Sequence, residues 1–332
     1  MNERAILGLD VGGANVKAAH SNGAALTRPF ALWKYPDQLT TKLRDIRRQM
    51  PEHDLIALTM TGELCDFFEY KRAGVLAILQ AVEEAAQGVP LRVWTTGARF
   101  VAPSQVRANP LSAAAANWLA LAHFAGRFTG DAPTLLIDTG STTTDIVFLE
   151  AGVPQPRGHA DPQRMACGEL VYTGIRRTPV CAVLGMGVAA EFFATMLDAY
   201  IVLGLVPEDA ADAETADGRP ATRRHASARL ARMICADRDD LPAAELSALA
   251  ARAVETQVQH VNKAVDLVLA GRPRPRSVVL CGSGAALGGL VIAAHPDLTG
   301  IRVVSLNELL GPALSEAGCA YAVAMLVERG EP

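Results

Sequence analysis

The chain has 332 residues, of which half are hydrophobic and a fifth are charged, and its formal net charge is −4. A chain of this length usually exceeds one core, so we expect two domains or lobes. The slight negative charge and the 5% aromatic content argue against a nucleic-acid partner and against a membrane-surface role.

The N-terminal stretch MNERAILGLD lacks the layout of a signal peptide, and no segment offers the roughly 20 apolar residues that a membrane span needs. The six cysteines are scattered and form no CxxC pair, which favours reduced thiols over a disulfide framework or a metal cluster. We therefore expect a cytoplasmic protein.

The first part of the chain alternates predicted strands and helices. Its strands are predicted from AILGLDVG, NVKAAHS, LIALTMTG and LRVWTTGARFV, and its helices from TTKLRDIRRQM and AGVLAILQAVEEAAQG. The following stretch, PLSAAAANWLALAHFAGRF, predicts a helix that is capped at Ser112 and ends near Gly126 or Gly130.

The pattern begins again with LLIDTGSTTTDIVFLEAG. An apolar strand, a polar glycine turn and a second apolar strand recur in the order seen at the N-terminus, which indicates a structural duplication. Helical patterns dominate from about 185 to 270, and SVVLCGSGAALGGLV then predicts a strand, a glycine turn and a helix start. A final strand in IRVVSLNELL and an Ala-rich helix complete an α/β architecture.

The turn after AILGLDVG combines an aspartate with glycines. Glycines let main-chain N–H groups approach an anion, and successive N–H groups form an anion-binding nest. An aspartate does not favour a bare phosphate, so Asp10 indicates a divalent cation, expected to be Mg²⁺, next to the phosphate. Lys17 lies two residues into the next strand and points either toward the anion or away from it. The residues expected to bind a diphosphate or a nucleotide here are Gly12, Gly13, Ala14, Asn15 and Lys17.

The second glycine turn repeats this pattern. Asp138 and Asp145 bracket it and are the other candidate metal ligands. The hydroxyls and amides between them can bind phosphate oxygens, although a plain hairpin with threonines as strand formers is the alternative. The expected phosphate-binding residues are Gly140, Ser141, Thr142 and Thr143, together with Gly282, Ser283 and Gly284 of the third glycine turn.

The ordered set GLDVGGANVK, IDTGSTTTDI, LCGSGAALGG and EAGCAYAVA resembles the actin/hexokinase/heat-shock-70 superfamily, and within it the hydantoinase/oxoprolinase group. This resemblance implies a duplicated, two-lobed, actin-like (ribonuclease H-like) α/β fold with a cleft that holds Mg²⁺ and phosphate. The first lobe is expected to span 1–128 and 312–332, and the second 129–311 with a mostly helical insertion at about 185–270.

A narrower resemblance rests on GLDVGGANVKAAHSNG, MTGELCDFF, YKRAGVLAIL, YTGIRRTPV and TADGRPAT. These segments are similar to the short, single-chain synthases of methanofuran and methylofuran biosynthesis. The resemblance implies a transferase that joins an aminomethyl-furan-methyl diphosphate to the phenol oxygen of a glutamylated tyramine or tyrosine. Diphosphate leaves and ATP is not used, so the loops would bind the leaving group, with Mg²⁺ as the cofactor.

Such a reaction calls for a base, because a phenol has a pKa of about 10. The segment TGELCDFFEYKR offers Glu63, Asp66 and Lys71 as catalytic candidates. Glu63 and Asp66 are three apart and could share a helical face, although a helix capped by Thr61 with acids in its first turn is an equal alternative. The candidate residues for binding the acceptor are Arg176, Arg177, Asp217 and Arg219, with solvated surface as their default interpretation.

Two other functions remain open from the sequence. One is an ATP-dependent kinase or a hydantoinase/oxoprolinase-like ATP-using enzyme, because a diphosphate and the tail of ATP look alike to main-chain amides. The other is a non-catalytic nucleotide-binding switch. The sequence also leaves open whether the chain forms a homo-oligomer.

Overall fold

The computed structural model describes residues 4–328, which divide into two compact units. Unit 1 combines residues 4–134, 149–163 and 304–328, and unit 2 combines residues 135–148 and 164–303. Unit 1 thus also takes in segments that we assign by sequence to the second lobe. The lobe limits given above therefore stay a prediction from the sequence. Residues 1–3 and 329–332 of the first lobe lie outside the described residues.

The strands, in chain order, are β1 (Ile6–Val11), β2 (Asn15–His20), β3 (Ala25–Pro29), β4 (Leu55–Met60), β5 (Leu91–Trp94), β6 (Phe100–Val101), β7 (Thr134–Thr139), β8 (Thr144–Glu150), β9 (Val153–Pro154), β10 (Leu170–Val171), β11 (Ser277–Cys281) and β12 (Arg302–Ser305).

The α-helices are α1 (Leu39–Gln49), α2 (Lys71–Ala86), α3 (Pro103–Ala108), α4 (Asn117–Ala125), α5 (Asp161–Ala166), α6 (Val180–Leu184), α7 (Met196–Val202), α8 (Arg223–Arg232), α9 (Ala243–Leu269), α10 (Ala285–Ala294), α11 (Leu306–Leu310), α12 (Pro312–Glu316) and α13 (Gly318–Glu328). Short 3₁₀ turns lie at Pro36–Gln38, Pro110–Ala113, Gly126–Phe128 and Arg238–Asp240. Within the described part of the chain, no helix is both long and apolar enough to cross a membrane.

The two sheets share one strand order. The first sheet runs β3-β2-β1-β4-β5-β6, with β1 antiparallel to β2 and parallel to β4. The second runs β10-β8-β7-β11-β12, so a hairpin, a third strand beside it and two later strands recur in the same places. The strands at the sheet centres are almost fully buried, so helices must cover the faces of the sheets. The predicted α/β, duplicated, actin-like fold is confirmed.

Each sheet has its own apolar core. In unit 1, α1 and α2 pack beside each other over the sheet, and α13 packs against β1, β2 and β4. In unit 2, the long helix α9 packs against α7, α8 and α10. Asp10 and Asp138 therefore lie near the ends of strands whose apolar side chains are part of these two cores.

The start that the sequence predicts for α4, at Ser112, was wrong. Pro110–Ala113 forms a 3₁₀ turn, Ala114 is extended (φ −71°, ψ 129°) and Ala115 has a φ of 46°. These two residues interrupt the helical path, so α4 begins only at Asn117 and ends at Ala125. The strand predicted across LRVWTTGARFV is likewise two short antiparallel strands, β5 and β6, because Ala98 turns the chain at a φ of 52°.

Candidate functional site

The β1–β2 turn of unit 1 has the main-chain arrangement of an anion-binding loop. The N–H of Gly12 donates to the carbonyl of Asn15 at 3.0 Å, which closes the turn. The carbonyls of Gly13 and Ala14 accept hydrogen bonds from the N–H groups of Leu32 and Phe30, both at 2.9 Å. Among the described residues the amides of Gly13 and Ala14 have no partner, so the loop offers donors to an anion.

The β7–β8 turn of unit 2 is built in the same way. The N–H of Gly140 donates to the carbonyl of Thr143 at 2.8 Å. The carbonyls of Gly140 and Ser141 are occupied by N–H groups from residues 175–177, at 2.8–3.1 Å. The amides of Ser141 and Thr142 are unpaired within residues 4–328, and their hydroxyls lie beside each other. Both turns therefore present amide donors and keep their carbonyls engaged.

Asp10 is the carboxylate of unit 1 best suited to a cation. It is 6% exposed, and its Oδ1 has no hydrogen-bond partner among the described residues. Burial raises the pKa of Asp10 to about 6, and Lys17, its neighbour across β1 and β2, partly opposes that rise. A divalent cation would compensate this desolvated charge, so Asp10 fits Mg²⁺ as one carboxylate ligand. Residues 4–328 contain no group of three His, Cys, Asp or Glu side chains for a metal, so further ligands would be phosphate oxygens and water.

The other two candidate metal ligands have neighbours in unit 2. The Asp145 carboxylate receives a hydrogen bond from the buried guanidinium of Arg164 at 2.8 Å, which neutralises it. Asp138 lies against the third glycine turn, because a Cβ on Gly282 would come within 2.5 Å of its Oδ1. The metal-ligand roles of these two residues stay predictions.

The third glycine turn packs on the end of β7. The N–H of Gly284 donates to the carbonyl of Thr139 at 2.8 Å, and a side chain on Gly284 would overlap that of Thr139. Gly282 has a φ of 83°, a conformation that favours glycine. These contacts account for both glycines by backbone packing, and a ligand-binding role for Gly282, Ser283 and Gly284 stays a prediction.

Glu63 is a buried carboxylate with unused hydrogen-bonding capacity. It is 1% exposed, and its Oε2 has no partner within the described chain. Burial raises the pKa of Glu63 to about 7. Lys71 opposes this shift, whereas Asp161 and Asp10 add to it. This environment therefore gives Glu63 a pKa suited to a general base that works near neutral pH.

Lys71 forms an ion pair with Asp161, a partner 90 residues away along the chain. The first turns of α2 fix the position of Glu63, because Gly74 leaves no room between the helix and the Glu63 main chain. Sequence reasoning missed Asp161 because no local motif connects it with Lys71.

Asp66 does not join this group as predicted. Residues 63–70 form turns and bends, α2 begins only at Lys71 after Tyr70, and Asp66 is exposed. The shared helical face of Glu63 and Asp66 is therefore wrong, and so is the alternative of a helix capped by Thr61. The catalytic role of Asp66 stays a prediction.

The four predicted acceptor-binding residues have different partners within their own unit. Arg176 pairs with Asp212 at 2.6 Å, and the Arg177 N–H binds the Ser141 carbonyl. Asp217 accepts from the buried Arg229 at 2.9 Å, whereas the side chain of Arg219 is 59% exposed. Acceptor binding stays a prediction for all four.

Comparison with known proteins gives a consistent result. The profile of the family described as hydantoinase/oxoprolinase matches residues 54–329. The chain is 30% identical over 335 residues to a Methanocaldococcus jannaschii protein, (4-{4-[2-(gamma-L-glutamylamino)ethyl]phenoxymethyl}furan-2-yl)methanamine synthase, and the match covers 98% of both chains. A Methanococcus vannielii protein of the same name is 24% identical over 212 residues, which cover 60% of this chain and 92% of that protein.

Among solved structures, a nucleotide-free acetone carboxylase has a TM-score of 0.50 and 10% identity, over 97% of this chain and 70% of the other. At that identity the likeness shows the fold alone. The family profile covers most of the chain, and the Methanocaldococcus protein matches nearly its whole length. The chain therefore belongs to the hydantoinase/oxoprolinase family.

Proposed function

We propose that the protein is a synthase that forms an ether between a phenol and a furanylmethyl group. The names of the two relatives describe a phenoxymethyl-furan, in which one oxygen joins a phenol ring to a furan-bound CH₂. The observation that carries the proposal is that unit 1 combines an anion-binding loop with a buried carboxylate, Glu63, whose Oε2 has no hydrogen-bond partner among residues 4–328. Burial is the main cause of the raised pKa of Glu63, and Asp10 of that loop makes a small further contribution.

The substrates are an aminomethyl-furan-methyl diphosphate and the phenol of a glutamylated tyramine or tyrosine. The phenol oxygen forms a bond to the CH₂ carbon, while the bond from that carbon to the diphosphate oxygen breaks with its electron pair. The phenol proton passes to a base, and diphosphate leaves. No oxidant, reductant or ATP is required.

The residues of this chain divide the work by their chemistry. In each unit, the amides of the glycine turn that have no partner within residues 4–328 can bind phosphate oxygens, and such donors stabilise the charge that develops on a leaving diphosphate. Glu63 accepts the phenol proton at its unoccupied Oε2, and Lys71 favours the charged form of Glu63. Asp10 would hold Mg²⁺, which supplies charge neutralisation for the diphosphate.

The test is an assay of pyrophosphate release with Mg²⁺, the furan diphosphate and γ-glutamyl-tyramine, with ATP omitted. We expect release that depends on the acceptor and is lost in D10A and D138A. The control is D45A, which removes an exposed carboxylate of α1 and should leave the rate unchanged. Replacing the acceptor with γ-glutamyl-tyrosine distinguishes the two phenols.

The opposite result is equally clear. If no pyrophosphate is released without ATP, but ADP forms when ATP is added, the ether synthase is excluded. The same loops would then serve an ATP-using enzyme.

A further inference from the structure

A buried series of hydrogen bonds links α7 and α9 to the segment that contacts the β7–β8 turn of unit 2. We call this turn the second loop. Gln257 on α9 is completely buried. It accepts from the Tyr200 hydroxyl on α7 at 2.9 Å, and its Nε2 donates to Thr173 Oγ1 at 2.8 Å and to the Gly174 carbonyl at 2.9 Å. A primary amide in an apolar core is costly unless it is bonded, and these three bonds satisfy it.

The two bonds from Nε2 end on residues 173–178, which we call the strap. Thr178 Oγ1 accepts from the N–H of Gly174 at 2.8 Å, so the strap closes on itself. The hydroxyl of Thr144, at the start of β8, donates to the Thr173 carbonyl at 2.8 Å. The strap is thus bonded on one side to α9 and on the other to the strand that follows the second loop.

The strap in turn determines which polar groups of the loop are free. Its Ile175 N–H donates to the Gly140 carbonyl, and the N–H groups of Arg176 and Arg177 donate to the Ser141 carbonyl. An anion is repelled by carbonyl oxygens and attracted by amides, so occupying these carbonyls leaves a surface of donors. If the strap moved away, both carbonyls would be released next to the bound anion.

The strap and the second loop are in such close contact that a movement of one displaces the other. A Cβ on Gly174 would lie 2.6 Å from both the Gly140 carbonyl oxygen and the Thr142 nitrogen. No side chain fits between the two segments, and a shift of the strap must therefore shift the loop.

We propose that Gln257 is a positioning residue that holds the strap, and through it the second loop, in the conformation that binds phosphate oxygens. The inference rests on the proposed function in one respect, namely that the loop binds the diphosphate. Gln257 acts through its hydrogen bonds to Thr173 and Gly174 of the strap. In unit 1, residues 30–32 occupy the loop carbonyls in the corresponding way.

The experiment compares four variants of the full chain. T173V keeps the side-chain shape but removes the hydroxyl that accepts from Gln257, and T173S restores it. Q257L removes all three amide bonds, whereas Y200F removes only the bond on the side away from the strap. Pyrophosphate affinity is measured by calorimetry with Mg²⁺, loop mobility by hydrogen exchange of the peptide that contains residues 139–145, and folding by circular dichroism.

We expect T173V and Q257L to weaken pyrophosphate binding about tenfold or more, to raise KM for the furan diphosphate in parallel, and to leave KM for the phenolic acceptor unchanged. Exchange of the loop peptide should accelerate in both. T173S and Y200F should stay within about twofold of the parent protein. This split between the two KM values, and the rescue by serine, separate positioning from a general loss of packing.

The proposal is overturned if T173V, shown to be folded, binds pyrophosphate and exchanges its loop amides as the parent does. It is also overturned if Y200F impairs binding as much as Q257L, because packing alone would then explain both. A parent protein that does not turn over the furan diphosphate would refute the proposed function, but the exchange of the loop peptide would still decide the role of the strap.

Discussion

Glu63 is the side chain whose environment has the most direct chemical consequence. Its burial disfavours the charged form, and its Oε2 has no partner among residues 4–328. A solvated glutamate has a pKa of about 4.3, well below neutral pH, and is a weak base. Burial raises the pKa of Glu63 to about 7. At neutral pH the carboxylate is therefore ionised in a fraction of the molecules, where it can take up a proton and later release it.

This role predicts a specific pH dependence. Only ionised Glu63 accepts a proton, so kcat/KM should increase with pH up to about 7, the pKa of Glu63, and level off above it. Glutamine at this position cannot accept the proton, so E63Q should lower kcat by about 10²- to 10⁴-fold and abolish this limb of the profile. Steady-state rates of pyrophosphate release across pH test both effects.

The control for E63Q is D66N, which neutralises an exposed carboxylate three residues away. If Glu63 is the base, and not the other catalytic candidate Asp66, D66N should keep both the rate and the pH profile of the parent. If D66N loses the limb and E63Q retains it, the base is Asp66, and the buried Glu63 has a structural role.

Among the secondary-structure elements, β1 and α13 show how closely the layers of unit 1 are packed. Gly8 is in the middle of β1, and a Cβ at this position would overlap the carbonyl oxygen of Ala320 in α13. The helix therefore lies directly on the strand backbone. Asp10 follows two residues later on the same strand, so this contact also fixes the position at which the β1–β2 turn begins.

We predict that G8A destabilises the protein by about 3 kcal/mol or more, because α13 must move away from the whole sheet to admit one methyl group. The matched control is G289A on α10, where a Cβ would meet nothing within 4 Å. Alanine is the better helix former, so G289A should stabilise the protein by about 0.5–1 kcal/mol. Urea unfolding of both variants measures the difference. Equal stability of G8A and the parent would show that α13 does not pack on β1 in this way.

The sequence predicts most elements but not the long-range contacts between them. Apolar periodicity locates α1, α2 and α13, and the two acid–glycine turns are visible as motifs. The interruption at Ala114 and Ala115 is not, because alanine has the highest helix propensity and nothing local marks the break. Gln257 is similarly hidden, as one amide within a long amphipathic helix. Its partners at Thr173 and Gly174 are identified only when the chain has folded.

Across the whole molecule, the duplication has preserved the anion-binding scaffold and changed the charges around it. Lys17 and Asp145 occupy the same offset from the first glycine of their loops. Lys17 lies beside Asp10, whereas Asp145 is neutralised by Arg164. The group of Glu63, Lys71 and Asp161 belongs to unit 1. Each unit thus presents a glycine turn with amide donors of its own, and Glu63, the buried carboxylate that we propose as the base, belongs to unit 1.

The division into units predicts which parts of the chain lose protection together. Leu43 on α1 and Leu230 on α8 are both completely buried, one in each core. Replacing either with alanine should cost on the order of 2–5 kcal/mol. We expect L43A to accelerate hydrogen exchange in β1, β4 and the distant α13, and L230A to accelerate it in α9 and β11, as followed by mass spectrometry.

Residues 149–163 and 304–311 decide between the two sets of boundaries. They belong to unit 1 by their contacts but to the second lobe by the sequence prediction. If these segments exchange faster in L43A and not in L230A, the units follow the contacts, and Asp161 unfolds together with its partner Lys71. If they respond only to L230A, the boundary lies where the sequence places it, and the pair of Lys71 and Asp161 joins two independently unfolding parts of the chain.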